Sequence, residues 1–170
     1  MIFMSQSGLT DPAREADWDA WYIGHLRAMA TVAGVESAQR FKTAAPAYSP
    51  SLAMYSMRSA EVFDDPHYLG IRGLGEFLPL IDRRHYHRNL FAGLDLAPAV
   101  APGQVLLVRD ALAPRELPGI ELTWLEAVAV DRSTRFRGIA VVPADQAAKA
   151  RAHAGIARYV PVTPVFHKGV

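Results

Sequence analysis

His25 is the residue best placed to do chemistry. It lies in the series Trp18, Trp21, Tyr22, His25, Leu26 and Met29, whose i, i+3, i+4, i+7, i+8, i+11 spacing marks one face of a helix. An imidazole set in such a stripe is desolvated, which favours its neutral form. A neutral imidazole in a pocket can take a proton near pH 7. The alternative role is a buried histidine satisfied by a backbone carbonyl. Trp18, Trp21 and Tyr22 would then shape the pocket that His25 serves. Tyr68, next to His67, could donate its phenol proton to a developing enolate, or simply pack.

Two further clusters carry candidate groups. Arg40, Tyr55 and Arg58 fall on a predicted hairpin, where Arg40 could anchor an anionic substrate group. An edge ion pair of Arg40 with Glu36 or Glu61 is the simpler role. The run Arg83-Arg84-His85-Tyr86-His87-Arg88 reads as strand, with His85 and His87 on one face and Tyr86, Arg84 and Arg88 on the other. If the histidine face meets His25, three imidazoles approach one another and a metal becomes conceivable. With no carboxylate partner identified and so many arginines, a solvated sheet edge is the preferred reading, and no metal is expected. Trp124 and Glu126 share a strand face in the second half, where they line a second cavity or serve as core and rim.

These residues must be positioned by two successive sets of elements. Residues 2–7 read as a strand, and Thr10-Asp11-Pro12 as a helix start. Gly34 ends the helix, and strands follow at 35–41 and 52–58. Asp65-Pro66 opens a second helix that Gly70, Gly73, Gly75 and Pro79 break into two short pieces. A fourth strand is expected over 85–94. The order strand, helix, strand, strand, helix, strand is that of a ferredoxin-like unit. After an Ala/Pro-rich linker at 97–103, strands are expected at 105–110, 122–130, 134–142 and 160–166, with a helix at 144–157. The short segment 111–118 replaces the first helix of this half. The fold class is therefore α+β, with tandem ferredoxin-like halves over 1–96 and 104–170, the second lacking its first helix.

Composition narrows the function. The chain has 170 residues, about half of them apolar, a net charge of +1 and no cysteine. Disulfides, thiolate metal sites and a cysteine nucleophile are excluded. No Lys/Arg stripe offers a footprint for nucleic acid. The opening Met1-Ile2-Phe3-Met4 turns polar at once, so neither a signal peptide nor a membrane span is expected, and the expected location is the cytoplasm. Gly70-Ile71-Arg72-Gly73-Leu74-Gly75 is not a dinucleotide loop, because its glycines are misplaced and no strand leads into it. No phosphate loop, nucleophile elbow, His-Glu-x-x-His motif or carboxylate pair occurs.

The runs Asp17-Trp18-Asp19-Ala20-Trp21-Tyr22-Ile23-Gly24-His25-Leu26 and Val32-Ala33-Gly34-Val35-Glu36-Ser37-Ala38-Gln39-Arg40-Phe41 resemble the dimeric α/β-barrel superfamily, and within it the EthD-like group. There a Trp-Tyr-x-x-His helix precedes a Pro-Gly-Val turn and a strand ending in Arg-Tyr. Here Ala33 and Phe41 replace the proline and the tyrosine, and the resemblance is clearest over the first half of the chain. It implies two ferredoxin-like sheets facing each other as a β-barrel, from two chains or from tandem halves of one. It also implies that His25 looks toward a cavity. The superfamily holds cofactor-free monooxygenases, lactone isomerases, polyketide cyclases and haem-degrading enzymes, so fold analogy sets only a prior.

Two functions are expected from these features. One is a small cofactor-independent enzyme acting on a hydrophobic, aromatic or polyketide-like compound by proton abstraction, isomerisation, cyclisation or oxygenation. Its pocket lies under the first helix, with His25 and Tyr68 catalytic and Trp18, Trp21, Tyr22, Arg40, Tyr55, His85 and His87 binding substrate. The other is a non-catalytic ligand-binding or dimerisation module. Haem binding through His25 is a third, weaker option. A homodimer is expected, because unpaired sheet faces would expose apolar surface; if the two halves close one barrel within the chain, a monomer is possible.

Overall fold

The computed structural model describes residues 1–169, apart from the side chains at 149, 151 and 152. The first strand, β1 (Ile2–Ser7), is buried along its whole length, because both of its faces are covered. Asp11 accepts a hydrogen bond from the Ala13 backbone N–H at 3.0 Å and caps a 3-10 turn, Pro12–Arg14, that feeds α1 (Glu15–Met29). Acidic Glu15 and Asp17 sit in the first turn of α1 and Arg27 in its last, the charge order that the helix dipole favours. Trp18, Tyr22, Leu26 and Met29 are its buried residues. The chain turns at Gly34 with φ +87°, where an added Cβ would lie 2.8 Å from Val62 Cγ2. The left-handed backbone and the close approach both require glycine there.

Strands β2 (Val35–Lys42) and β3 (Ser51–Met57) form the expected hairpin. The Asp65 carboxylate accepts hydrogen bonds from the backbone N–H groups of His67 (2.8 Å) and Tyr68 (3.0 Å), starting α2 (Pro66–Ile71). A 3-10 segment, Gly75–Leu80, follows as the second short piece. β4 (His87–Ala92) begins two residues later than the sequence suggests. The Asp82 carboxylate accepts from the backbone N–H of Arg84 at 3.0 Å and grips its guanidinium, folding Arg83–His85 into a 3-10 turn.

The second half supplies β5 (Gln104–Ala111), β6 (Thr123–Val130), β7 (Phe136–Pro143), β8 (Ile156–Pro161) and a short β9 (Phe166–His167). No helix joins β5 to β6, as the sequence suggests. The helix expected over 144–157 is a 3-10 segment, Gln146–Ala152. Gly155, at φ +82°, then turns the chain into β8 four residues earlier than anticipated.

Strand order is β4-β1-β3-β2 in the first half and β8-β5-β7-β6 in the second, so the two halves repeat one pattern. Antiparallel pairing of β4 with β6 and of β2 with β8 joins them into a closed, eight-stranded barrel within one chain. The barrel core includes Ile2, Met4, Leu52, Phe91, Leu106 and Leu125. Outside it, α1 covers Phe3, Ala38, Ala53, Tyr55 and Leu90. Segment 97–103 is tied to the barrel, since the Gln39 amide donates to the Val100 carbonyl at 2.8 Å and accepts from its N–H at 3.1 Å. No helix among the described residues is long and apolar enough to cross a membrane.

Candidate active site beneath the first helix

The pleat of β1 decides which side chains lie under α1. Ile2, Met4 and Gln6 enter the barrel, while Phe3 and Ser5 face the helices. Register carries this division to the neighbours: Tyr55 lies opposite Phe3 on β3, and Arg88 opposite Ser5 on β4. A cavity of about 300 Å³ separates this outer sheet face from α1 and α2, at the lower end of the range for small-molecule sites. Tyr22, His25 and Met29 reach it from α1, Tyr68 from α2, Arg72 and Leu74 from the segment after α2, Tyr86 from just ahead of β4 and Arg88 from β4.

His25 has its ring stacked on Trp21, at 4.8 Å between centroids and 11° between planes, and Trp21 stacks in turn on Trp18 at 4.9 Å and 5°. Burial pushes the imidazole pKa down from 6.5 to about 4, and no hydrogen bond from the described residues offsets that loss of solvation. The backbone carbonyl that a purely structural histidine would use is not there. His25 is therefore neutral at pH 7, with a free lone pair on one ring nitrogen.

Four phenols surround the same space. Burial raises the pKa of Tyr22, Tyr68 and Tyr86 and raises that of Tyr55 well above its ordinary value. All four are hydrogen-bond donors at neutral pH. For Tyr68 the guanidiniums of Arg88 and Arg72 oppose the effect of burial. The second half of the chain fixes Arg88: Asp131 accepts its backbone N–H at 2.8 Å and its Nη2 at 3.3 Å. Asp131 sits in a turn flanked by left-handed Val130 (φ 68°) and Arg132 (φ 45°). The same turn is clasped by Asn89, whose side chain accepts from the Ser133 N–H at 2.8 Å.

The structure thus brings His25, Tyr68, Tyr22 and Tyr55 together as expected, and it corrects the other expected binding residues. Trp18 is fully buried behind Tyr22, packed on Trp21, Phe77 and Arg40, and Trp21 backs His25 without being part of the cavity wall. Arg40 is buried, but neither Glu36 nor Glu61 holds it. Its Nη1 donates to Asp19 at 2.7 Å, its Nε to Ser51 at 3.0 Å, and its guanidinium carbon lies 4.2 Å from the Tyr22 ring centre. It props up Tyr22 from behind, and Glu36 binds Arg58 instead.

His85 and His87 are also displaced from the site. His85 falls in the Asp82-capped turn and packs near Gly8. His87 pairs with Gln6 and so takes the barrel face of β4, opposite to His25. The sheet keeps the imidazoles apart, and no group of three metal-ligating side chains occurs among the described residues. The cavity side here bears Tyr86, just ahead of β4, and Arg88 on it, opposite to the face of His87. Tyr86 and Arg88 follow the alternation that the sequence shows plainly, whereas Arg72 ends α2 and no pattern marks it. What sequence did not show is which face meets the helix.

A larger and more open depression, about 670 Å³, lies over the second half between segment 114–122 and Trp124. It is where the missing helix would sit. No histidine or tyrosine lines it, and Glu126 is exposed beyond it. Chemistry, not volume, selects the cavity under α1. No protein-family model matches this chain, and comparisons with the curated proteins and with the solved structures likewise find no match.

Proposed function

We propose that the cavity beneath α1 binds a small, partly aromatic ketone or polyketide-like compound and that His25 removes a proton from the carbon next to its carbonyl. The free ring nitrogen takes the proton, the C–H electron pair moves into the enolate, and the Tyr68 hydroxyl donates to the enolate oxygen. Returning the proton to another carbon completes an isomerisation; attack of the enolate on a second carbonyl gives cyclisation. The observation that carries this reading is an imidazole at a cavity wall, stacked on Trp21 and without a hydrogen-bond partner among the described residues.

An imidazole with a pKa near 4 is a weak base in the empty site. The forming enolate strengthens it, because an anion beside an imidazolium favours the charged form. That same weakness supports the second reading, a ligand-binding module without turnover. The repeated strand order favours reading the barrel as tandem ferredoxin-like halves of the dimeric α/β-barrel type, and the Trp-Tyr-x-x-His helix favours an EthD-like origin.

The test is deuterium uptake from D2O at the α-carbon of 2-tetralone, followed by NMR. The wild type should accelerate exchange above buffer, His25→Gln should abolish the acceleration, and Tyr68→Phe should reduce it by about 10-fold or more. Binding of the ketone with no acceleration would leave the non-catalytic reading standing.

A further inference from the structure

The charge of the cavity wall narrows the ligand. Two guanidiniums, of Arg72 and Arg88, line it, and no carboxylate does. Arg72 is exposed at the end of α2 and has no ion-pair partner among the described residues. The Arg88 guanidinium lies over the Tyr86 ring, 5.4 Å from its centre, and keeps one long ion pair to Asp131, 3.3 Å from Nη2, while its Nε is buried with no partner among the described residues. Both guanidiniums share the cavity wall with the Tyr68 phenol. The remainder of the wall is Phe3, Tyr22, Met29, Tyr55, Gly73 and Leu74, apart from Ser5, His25 and Tyr86.

A buried donor without an acceptor is costly, and planar guanidiniums match the geometry of a carboxylate. From this arrangement we propose that the cavity is a subsite for a carboxylate carried on an aromatic body, the carboxylate meeting Arg88 and Arg72 while the ring lies toward Phe3 and Met29. The inference rests on reading the cavity as a ligand site and adds the ionic state of the ligand. A carboxylate held there places the carbons next to it within the electrostatic field of two cations, where an enolate is easier to form.

The test is calorimetric titration of the full chain with 2-naphthoate and with its neutral methyl ester, which differ little in shape. The carboxylate should bind at least tenfold more tightly. Arg88→Gln should remove most of that preference and leave the ester's affinity within about twofold. Arg72→Gln, at an exposed position that the fold does not need, should remove part of it. Raising the salt concentration should weaken the carboxylate and not the ester, because Arg72 is exposed and the Arg88 side chain is 42% exposed. Equal affinities for acid and ester, or a preference that survives in both variants, would overturn the carboxylate subsite and leave the cavity a ligand site. Heat from neither compound, with the protein shown to be folded by circular dichroism, would overturn both.

Discussion

Desolvation of His25 should make the protein lose stability in acid across a defined window. The ring takes its proton near pH 6.5 in the unfolded chain and near 4 in the native one. Between these values the unfolded state binds more protons, so stability is fully present above pH 6.5 and drains away as pH falls toward 4. At about 1.4 kcal/mol per pKa unit, the ceiling is about 3 kcal/mol. The ring is only partly buried, and water at the cavity mouth lowers the expected loss to about 2 kcal/mol. Urea unfolding at pH 7, 5.5 and 4.5 measures it, with His25→Gln as reference because glutamine does not titrate. The wild type should lose about 2 kcal/mol more than the variant over that range. Asp82, pulled down to about 2 by Arg84, contributes stability that is lost only as pH falls below 3.8, under the window. Matching pH curves for the two proteins, or an NMR titration of His25 with a midpoint at 6 or above, would refute the claim that this imidazole is desolvated.

Arg137 offers a test of the barrel interior: it is buried, bound to Asp110 through Nε (2.7 Å) and Nη2 (2.8 Å), and donates to Gln6 at 2.7 Å. Arg137→Ala should cost about 3 kcal/mol by urea unfolding, since it strips Gln6 and Asp110 of their partner and opens a void beside Phe91, whereas Arg137→Met, which keeps the volume, should cost less; a loss under 1 kcal/mol for the alanine variant would show the pair to be dispensable. The barrel closes within one chain, so it needs no second copy to cover its inner faces. Light scattering should return the monomer mass at micromolar concentration, and a dimer mass would bear out the homodimer that the sequence suggests.

Local chemistry was legible in the residues themselves. Asp11 before Pro12 and Asp65 before Pro66 marked both helix starts, because a carboxylate cap and a fixed φ act within one turn of chain. The spacing from Trp18 to Met29 marked a buried face, and the proline-broken segment after β5 marked a missing helix. His25 and Tyr68 were legible as candidates because each is a reactive group inside an apolar pattern. Tertiary structure decided what each face met. In β1 and β4 both faces are buried, so alternation sorts His87 from Arg88 without saying which one lies in the barrel and which under α1. A salt bridge such as Arg40 to Asp19 depends on how a helix crosses a strand 21 residues away in sequence, which spacing does not encode. Arg72 and Arg88 become a pair only when the end of α2 and β4 are folded around one cavity, and the position of Arg88 rests further on Asp131 from the other half. Sequence determined that an imidazole would be buried among aromatics; the closed barrel, with its sheet between His25 and His87, decided that phenols and guanidiniums, not further imidazoles, would share its cavity.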